Sequence, residues 1–448
     1  MTDNNTLTDI FNAALAAVDP YQAVLKYVRL ELDFLLVAGT KYDLANFNKI
    51  VVVGAGKATA RMAMALEAIL GSRIASGLII VKDGYTAALN IIQQIEAAHP
   101  VPSQAGLAGT QKILHMAQQA DEQTLFICLI SGGASALLIA PVADITLVDK
   151  QRVTSLLLKA GASIEELNAV RKHLSQVKGG RLAQAAFPAS VVSLILSDVI
   201  GDRLDVIASG PTAEDKSTYA DAWAMIEKYQ LQKFIPQAVT RHLQQGLAGK
   251  RDETIKAGEA CLRKVQNVIV GGLDQALAAA KEKSLQFGLK TEIIMADLQG
   301  EAREAARLLA DHARTTLGKM KAGECCIVLS GGETTVTVKG GGMGGRNQEL
   351  ALAFALEIEG MQGVTLLSAG SDGSDGDNEA AGAIVRGNIA TQARQLDISP
   401  EHYLADNDSY HFFREFDRRS GENAHFITGP TGTNVMDIQI MLLEKDGC

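Results

Sequence analysis

Short apolar runs that stop at glycine-containing turns recur along this 448-residue chain. Residues 51–53 precede Gly54-Ala55-Gly56, and residues 123–130 precede Ser131-Gly132-Gly133. Strands that are buried on both faces of a parallel sheet have continuous apolar sequences of this kind, and the glycines indicate tight turns. Because Ala/Leu-rich segments with helical periodicity follow these turns, the pattern predicts an α/β fold.

The stretch from residue 325 to residue 352 contains the first candidate anion site. A predicted strand over residues 325–329 is followed, after Glu333, by a β-branched run over residues 334–338 that favours a second strand. The glycine loop (Gly340–Gly345) then precedes Arg346 and a predicted helix. Such a loop exposes backbone N–H groups at the positive end of the helix dipole, and arginine adds donors for phosphate or carboxylate oxygens. The alternative is a flexible hairpin with a surface arginine. The candidate residues are Ser330, Gly331, Gly332, Glu333, Gly344, Gly345, Arg346 and Asn347.

A second candidate site lies where the predicted strand at residues 51–53 meets the next helix. Gly54 and Gly56 form a turn before a helix N-terminus, which is a phosphate-binding arrangement. Thr59 stands where a dinucleotide fingerprint has its third glycine. Lys57 lies where a cation could stabilise a transferring phosphoryl group. The alternative for Lys57 is a solvated position on the first helical turn.

Two further segments combine small residues with cations or hydroxyl groups. The segment at residues 131–135 can form a nest for oxygens, although close backbone packing around glycine explains it equally well. The segment at residues 163–186 is basic in an acidic protein, and the helix dipole alone explains part of that pattern. The candidate binding residues are Ser131, Gly132, Gly133, Ser135, Arg171, Lys178 and Arg181.

Aspartates follow two predicted strands. Asp198 and Asp202 come after the apolar run at residues 191–196, where the carboxyl ends of strands in an open α/β sheet hold ligands. Two such carboxylates can share an Mg²⁺ ion that is bound to phosphates. Asp372 and Asp375 occupy a similar place after residues 363–368 and indicate contact with a hydroxylated substrate or a metal. A helix cap or an Asx turn is the alternative for Asp198.

Composition limits the classes of function. A net charge of −9 argues against a general nucleic-acid surface, so any anion site must be a local basic pocket. The length indicates two domains, with three as the alternative. The start of the chain lacks a signal-peptide pattern, and no apolar run approaches the roughly 20 residues needed to span a bilayer. We therefore expect a cytoplasmic protein with no membrane partner.

The residues together favour phosphoryl transfer. The sequence contains no P-loop, protein-kinase signature set, nucleophile elbow or metal-binding His/Cys cluster. Several glycine turns, isolated cations and aspartates at strand ends remain. Phosphoryl transfer needs mainly positioning and neutralisation of charge, which such groups supply.

Motifs along nearly the whole chain resemble those of the class II glycerate kinases. They are GAGKA at 54–58, HPVPS at 99–103, SGGASALL at 131–138, NAVRKHLSQVKGGRLA at 168–183, SDVIGDRLDVIASGPT at 197–212, SGGETTVTVKGGGMGGRNQE at 330–349, SDGSDG at 371–376 and ITGPTGTNV at 427–435. The resemblance implies a Rossmann-like N-terminal domain over residues 1–245 and a smaller C-terminal MOFRL-type α/β domain with a mixed sheet over residues 246–448. It also implies an active site in the cleft between the domains.

The same resemblance implies ATP- and Mg²⁺-dependent phosphorylation of D-glycerate, typically to 2-phosphoglycerate. The catalytic lysine and arginine of the family fall on Lys57 and Arg346, and its pocket-facing aspartates on Asp198, Asp202 and Asp375. In this interpretation Arg346 binds the substrate carboxylate or the moving phosphoryl group, Lys57 stabilises that group, and Asp198 accepts the hydroxyl proton or holds Mg²⁺. The resemblance does not determine whether the protein forms a homodimer.

Three residues depart from the usual family pattern: Ala134 replaces a glycine, Met343 occupies an often basic position, and Ser371 replaces threonine. Two other functions are alternatives, an NAD(P)H-dependent hydroxypyruvate reductase and a non-catalytic sugar-acid binding protein. Thr59 and the lack of an obvious His–acid proton relay argue against the reductase.

Overall fold

A computed structural model of the protein describes residues 3–445. Its helices are α1 (Asp3–Ala17), α2 (Pro20–Tyr27), α3 (Thr59–Leu70), α4 (Gln104–Gln118), α5 (Ala134–Leu137), α6 (Leu147–Lys159), α7 (Ile164–His173), α8 (Arg181–Ala186), α9 (Tyr219–Lys228), α10 (Gln237–Leu247), α11 (Leu273–Gln286), α12 (Ala302–Lys319), α13 (Arg346–Glu357), α14 (Ile389–Gln395), α15 (Pro400–Ala405) and α16 (Ser409–Ser420). In this described part of the chain, no helix combines the length and apolarity that crossing a membrane requires.

The strands belong to three sheets. They are β1 (Val28–Glu31), β2 (Phe34–Val37), β3 (Thr40–Asp43), β4 (Lys49–Ala55), β5 (Ile74–Lys82), β6 (Ile92–Ala97), β7 (Thr124–Ile130), β8 (Ser190–Leu196), β9 (Val265–Gly271), β10 (Lys290–Leu298), β11 (Cys325–Gly332), β12 (Val364–Gly370), β13 (Gly382–Arg386), β14 (His425–Phe426) and β15 (Asp437–Glu444). The first three form a small antiparallel sheet, and the others form two sheets of six strands.

The chain divides into two compact units. The larger unit comprises Pro20–Val270, and the smaller comprises the segment up to Asp19 together with the chain from Gly271 onward. The edge strand β9 pairs within the sheet of the larger unit, whereas α1 packs against α11 and β15 of the smaller one. The domain boundary at residue 245 stays a prediction. Residues 246–270 make their contacts mainly within the larger unit.

The large sheet of the larger unit has the order β6-β5-β4-β7-β8-β9. Counted from its first strand, this order is 3-2-1-4-5-6, that of a doubly wound α/β sheet. The four pairings among β4, β5, β6, β7 and β8 are parallel. The chain reverses its direction of winding between β4 and β7, so the turns after these two strands meet at the point where such sheets hold their ligands.

Burial explains the continuous apolar sequences of these strands. All seven residues of β7 are buried. Val51 and Val53 of β4 pack with Phe126 of β7 and with Ile113 of α4 in one core cluster. Each fully buried side chain of this size contributes about 1.5–3 kcal/mol through removal from water. The α/β fold predicted from these runs is confirmed.

The sheet of the smaller unit is mixed, with the order β10-β11-β15-β12-β13-β14. Only the β10–β11 pair is parallel among its pairings, and β15 lies between β11 and β12, antiparallel to both. Leu350 and Phe354 of α13 share a core cluster with Leu309 of α12 and Met441 of β15. The predicted C-terminal α/β part with a mixed sheet is therefore confirmed.

The predicted strand at residues 334–338 is wrong. Thr335 makes only an isolated bridge with Glu301, and the rest of the run is not a strand. The neighbouring strand β11 already has partners on both edges, β10 and β15, so the chain beyond Gly332 leaves the sheet. Side chains with high β propensity do not form a strand without a partner to pair with.

Two helical glycines allow a test of packing. A Cβ on Gly246 of α10 would lie 2.2 Å from Cγ of the buried Tyr219, whereas a Cβ on Gly318 of α12 would meet nothing within 4 Å. We expect Gly246→Ala to destabilise the protein by about 1–3 kcal/mol through overpacking. Gly318→Ala, the matched control, should stabilise it by roughly 0.5–1 kcal/mol through helix propensity. Calorimetric unfolding measures both; a Gly246→Ala protein as stable as the parent would contradict the steric argument.

Candidate active site

The turns after β4 and β7 are hydrogen-bonded to each other. The N–H of Lys57 donates to the carbonyl of Gly132 at 2.9 Å, and the N–H of Ser131 donates to the carbonyl of Ala55 at 3.2 Å. The Ser131 hydroxyl accepts a bond of 3.0 Å from the N–H of Ala58. Ser131 is buried, so its hydroxyl fixes the entry to α3 and does not face solvent.

Glycine is required here because other groups occupy the space of a side chain. Gly56 has φ of +142°, and a Cβ on it would lie 2.1 Å from the hydroxyl oxygen of Ser131. A Cβ on Gly54 would lie 2.4 Å from the carbonyl oxygen of Leu129. The missing side chain of Gly132 leaves room for Asp198 from the turn after β8, because a Cβ on Gly132 would lie 2.4 Å from Oδ2 of Asp198. Close packing thus accounts for these glycines and places Asp198 against the turn after β7.

Lys57, His99 and Asp198 surround the turn after β7. From the Cβ position of Gly133, Cγ of Lys57 is 3.4 Å away and Nε2 of His99 is 3.2 Å away. Within residues 3–445, the Lys57 ammonium has no hydrogen-bond or ion-pair partner. His99 is not among the site residues that the sequence predicts. Its only local signal is its position in the HPVPS motif just after β6.

Burial and charge decide the protonation of this cluster. Burial, with the charges of Lys57 and Lys82, lowers the pKa of His99 from 6.5 to about 4. His99 is therefore neutral at pH 7 and can accept a proton. Burial raises the pKa of Asp198 above its ordinary 3.8, although its own N–H and the charge of Lys57 act in the opposite direction. The cluster combines an unpaired cation that can stabilise developing negative charge with two candidate proton acceptors.

The basic segment is brought to the same region of the larger unit. Lys178 is fully buried and donates to the carbonyl of Ser135 at 2.9 Å and to that of Ala208 at 3.3 Å. The hydroxyl of Ser135 lies 3.1 Å from that of Ser209. Arg181 donates instead to the carbonyl of Asp252 at 3.0 Å. The structure therefore brings Ser135 and Lys178 together and directs Arg181 to another loop.

The residues proposed for Mg²⁺ lie in one loop. Asp198 follows β8, and Asp202 has φ of +50° in the turn after Gly201. No three or more His, Cys, Asp or Glu side chains within residues 3–445 are grouped as metal ligands. Mg²⁺ bound to a nucleotide needs only one or two protein carboxylates, with waters and phosphates completing its shell. The partly buried carboxyl of Asp198, which a cation would stabilise in its ionised form, fits that requirement.

The glycine loop of the smaller unit differs from its predicted form. The N–H groups of residues 339–343 donate to acceptors within the segment 406–408. Lys339 and Gly340 donate to Oδ1 of Asn407, Gly341 to Oδ1 of Asp406, Gly342 to the Asp406 carbonyl, and Met343 to Oδ1 of Asp408. The prediction that the N–H groups of this part of the loop are exposed to bind an anion is wrong. Its glycines allow close packing, since a Cβ on Gly342 would lie 2.3 Å from that of Asp408.

Asp375 caps the N-terminus of α13. Its Oδ1 accepts from the N–H of Asn347 at 3.0 Å, and its Oδ2 accepts from the N–H of Gln348 at 2.8 Å. A Cβ on Gly345 would lie 2.3 Å from this carboxyl group, which explains the glycine. Burial raises the pKa of Asp375 to about 6, with a smaller contribution from Asp437. Asp375 is a buried helix cap, and the interpretation of it as a pocket-facing group is corrected.

Arg346, the first residue of α13, is held by two carboxylates. Its Nε and Nη2 donate to Oδ2 and Oδ1 of Asp437 at 2.5 and 2.8 Å, and its Nη1 lies 3.2 Å from Oε1 of Glu333. Burial lowers the pKa of Arg346, but Asp437 and Glu333 raise it above its ordinary value. About a third of the side chain is exposed, so a fixed guanidinium group can still meet an anion. Sequence reasoning missed Asp437, for which the sequence offers no local signal.

The other candidates in this unit have structural partners. The Ser330 hydroxyl donates to Gln439 at 3.1 Å, and the Ser368 hydroxyl donates to the side chain of Asn347 at 2.8 Å. Asp372 accepts from the N–H of Ser374 at 3.1 Å in an Asx turn. Gly331 and Gly332 lie in β11, where Cβ atoms would clash with Leu273 and Leu298. Gly344 likewise packs against Ser409. These contacts explain the residue types by packing and local hydrogen bonds.

Comparisons with known proteins cover both units. The profile of DUF4147, a domain of unknown function, matches residues 6–244, and that of the MOFRL family matches residues 326–437. A D-glycerate 2-kinase of Thermotoga maritima is 43% identical over 400 residues, which cover 89% of this chain and 91% of that protein. A protein of Agrobacterium vitis with the provisional name hydroxypyruvate reductase is 38% identical over 440 residues, 98% of this chain and 94% of that one. The crystal structure of a Thermotoga maritima glycerate kinase matches this chain with a TM-score of 0.84 and 40% sequence identity. The match covers 98% of this chain and 99% of that one.

The depressed pKa of His99 predicts a pH-dependent stability. Below pH 6.5 the unfolded chain takes up a proton at this residue, whereas the folded protein does not until about pH 4. The contribution of His99 to stability should therefore fall as the pH is lowered from 6.5 to 4, and His99→Gln should remove that part of the dependence. Urea unfolding at several pH values measures it, with the exposed His115→Gln as the control. An unchanged pH profile in His99→Gln would rule out a neutral, half-buried His99.

Proposed function

The chain belongs to the glycerate kinase family, and from this premise we propose that it transfers the γ-phosphoryl group of ATP to D-glycerate, with Mg²⁺, to give 2-phosphoglycerate. Its class, a phosphotransferase with an alcohol group as acceptor, follows from that membership. The observation that carries the finer proposal is Lys57 at the winding reversal of the large sheet, beside two candidate proton acceptors and with an ammonium that has no partner among residues 3–445.

Lys57 is the proposed electrostatic catalyst. Phosphoryl transfer through a loose transition state spreads negative charge over the transferring group, and a preorganised cation stabilises that charge. The hydrogen bond from the Lys57 N–H to Gly132 fixes the base of the side chain, while the ammonium has no protein partner among the described residues. A cation already paired with a carboxylate would first have to break that pair.

Arg346 is the second proposed catalytic cation, and unlike Lys57 it is held by a carboxylate. Asp437 holds one edge of the guanidinium plane through two hydrogen bonds, so the direction of the remaining N–H groups is fixed. Planar donors of this kind suit the oxygens of a carboxylate or a phosphoryl group. Glu333 competes for Nη1, and an incoming anion would displace it more easily than Asp437, because about half of its side chain is exposed.

Asp198 is the proposed proton acceptor or Mg²⁺ ligand. In the first role it removes the proton of the attacking hydroxyl group, which its raised pKa favours. In the second role its carboxylate, with Asp202 in the same loop, would hold an ion that neutralises the phosphates of ATP. If Asp198 binds the ion, the neutral His99 beside Gly133 can accept the proton.

The proposed reaction has a direct assay. Incubation with ATP, Mg²⁺ and D-glycerate should consume ATP, and the product should be a substrate of enolase without addition of a mutase. Enolase turnover that depends on a mutase would identify 3-phosphoglycerate and overturn the proposed position of phosphorylation. An absence of ATP consumption would overturn the activity itself.

The reductase alternative is kept because a relative carries that provisional name. The structure gives a physical reason against it at the turn after β4. Thr59 is buried, its hydroxyl lies 3.1 Å from that of Ser131, and its methyl group is in the space a side chain on Gly54 would need. A dinucleotide fingerprint has glycine at this position for close packing of helix and strand. Titration with NADH and with ATP–Mg²⁺ distinguishes the two, since NADH should not bind.

Replacement of Lys57 by methionine tests its role. We expect Lys57→Met to lower kcat by about 10²–10³, by analogy with the loss of one oxyanion-stabilising donor. The melting temperature should be almost unchanged, because the ammonium has no protein partner among residues 3–445. Lys112→Met, at an exposed lysine of α4, is the control. A Lys57→Met enzyme with near-parental kcat would exclude Lys57 from the reaction.

A further inference from the structure

A small cavity in the larger unit is lined by three cationic side chains. Its walls include Pro102, Ser135, Leu147, Lys150, Arg171 and Lys178, and its volume is about 10 Å³. Lys150 comes from α6, Arg171 from α7 and Lys178 from the turn before α8. No carboxylate from the described part of the chain lines this cavity, although the protein as a whole is acidic. Lys150 was not singled out in the sequence, where it is one polar position of a helix with mixed polarity.

The two lysines are buried with part of their hydrogen-bonding capacity unused. Lys150 is 3% exposed and Lys178 is 0% exposed. Lys178 donates to two backbone carbonyls, those of Ser135 and Ala208, and Lys150 donates to one, that of Leu174. An ammonium group has three N–H donors. One donor on Lys178 and two on Lys150 are therefore left without an acceptor among the described residues.

Neighbouring charges add to the cost of this burial. Burial lowers the pKa of both lysines well below the ordinary value, and the charges that act on them, such as Arg171, lower it further. The nearby Lys172 is different, since its ammonium is 3.0 Å from Oδ1 of Asp215. A buried cation normally has a paired anion, because desolvation without one is costly. An anion bound in the cavity would supply a counter-charge and favour the protonated form of both lysines.

We propose that this cavity is the subsite for the carboxylate group of the hydroxy-acid substrate, with Lys150 as a specificity-determining residue. The assignment rests on the proposed function, whose substrate carries one carboxylate. A carboxylate oxygen in the cavity would accept the unused N–H donors of Lys150 and Lys178 and neutralise charge beside Arg171. These charge-assisted hydrogen bonds discriminate against an alcohol that lacks the carboxylate.

The size of the cavity limits what it can hold. A volume of about 10–15 Å³ admits one water-sized group. One oxygen of a carboxylate fits such a space, whereas a whole phosphoryl group, with its three terminal oxygens, does not. Side-chain contacts also fix α6 at this place, since Gln151 donates to the carbonyl of Pro102 at 2.7 Å. The neighbouring Lys150 is thereby held beside the cavity.

The test uses Lys150→Met, which keeps the length of the side chain and removes the charge. We expect the KM for D-glycerate to rise about 10- to 100-fold, because a hydrogen bond to a charged group is lost, while the KM for ATP stays unchanged. The ligand-free variant should melt at the same or a higher temperature than the parent, because an unpaired buried charge has been removed. The stabilisation that D-glycerate alone gives the parent should be lost.

Lys159→Met, at an exposed lysine of the same helix, is the control and should match the parent in every measurement. A Lys150→Met protein that melts lower but keeps the KM and the thermal shift with D-glycerate would show a structural lysine and overturn the proposal. A rise in the KM for ATP alone would assign the cavity to the nucleotide and also overturn it. If the parent does not phosphorylate D-glycerate but Lys150→Met abolishes the thermal shift, the proposed reaction fails and the carboxylate subsite stands.

Discussion

The arrangement of the larger unit depends on the hydrogen bonds that join the turns after β4 and β7. These strands are neighbours in the sheet, and the connections that follow them run in opposite directions, so the two turns lie side by side at that edge. The bond from Lys57 N–H to the Gly132 carbonyl makes the two turns one element. The Ser131 hydroxyl then starts α3, and Gly132 makes room for Asp198 from β8. A cation, a carboxyl and an imidazole meet there because three parallel strands end at the same edge.

The two units use opposite means to hold a reactive cation. Arg346 is fixed by two carboxylates. They orient its guanidinium group and also neutralise part of its positive charge. Lys57 has no such partner within residues 3–445, and backbone contacts position it instead. The difference follows from side-chain chemistry. A guanidinium group has five N–H donors, so it can be oriented with some and bind with others, whereas an ammonium that is paired with a carboxylate has little charge left to offer.

The fold and part of the site could be predicted from the sequence because their signals are local. Apolar runs predicted β4, β7, β8 and β12, and the glycines after the runs at β4 and β7 indicated their turns. The prediction of an anion site at the glycine loop was wrong because the acceptors of its N–H groups come from residues 406–408. These residues lie more than 60 positions away in the sequence. The partnership of Asp437 with Arg346 spans 91 residues and the cap by Asp375 spans 28, so neither has a local pattern. The protonation of His99 depends on burial and on Lys57, which only the folded chain brings together.

The function of a glycine-rich segment is ambiguous from sequence, because the missing side chain can permit either of two different contacts. A glycine can expose N–H groups to a ligand, or it can let another part of the protein approach the backbone. The distinction lies in where the N–H groups are directed. Around Gly342 they meet carboxylates and an amide from a later loop, so the negative charge needed by the loop is already supplied by the protein. Around Gly132 the approaching group is Asp198, whose carboxyl stays beside an unpaired lysine. Glycine-rich sequence therefore gives a closed structural loop in one unit and a charged, reactive edge in the other.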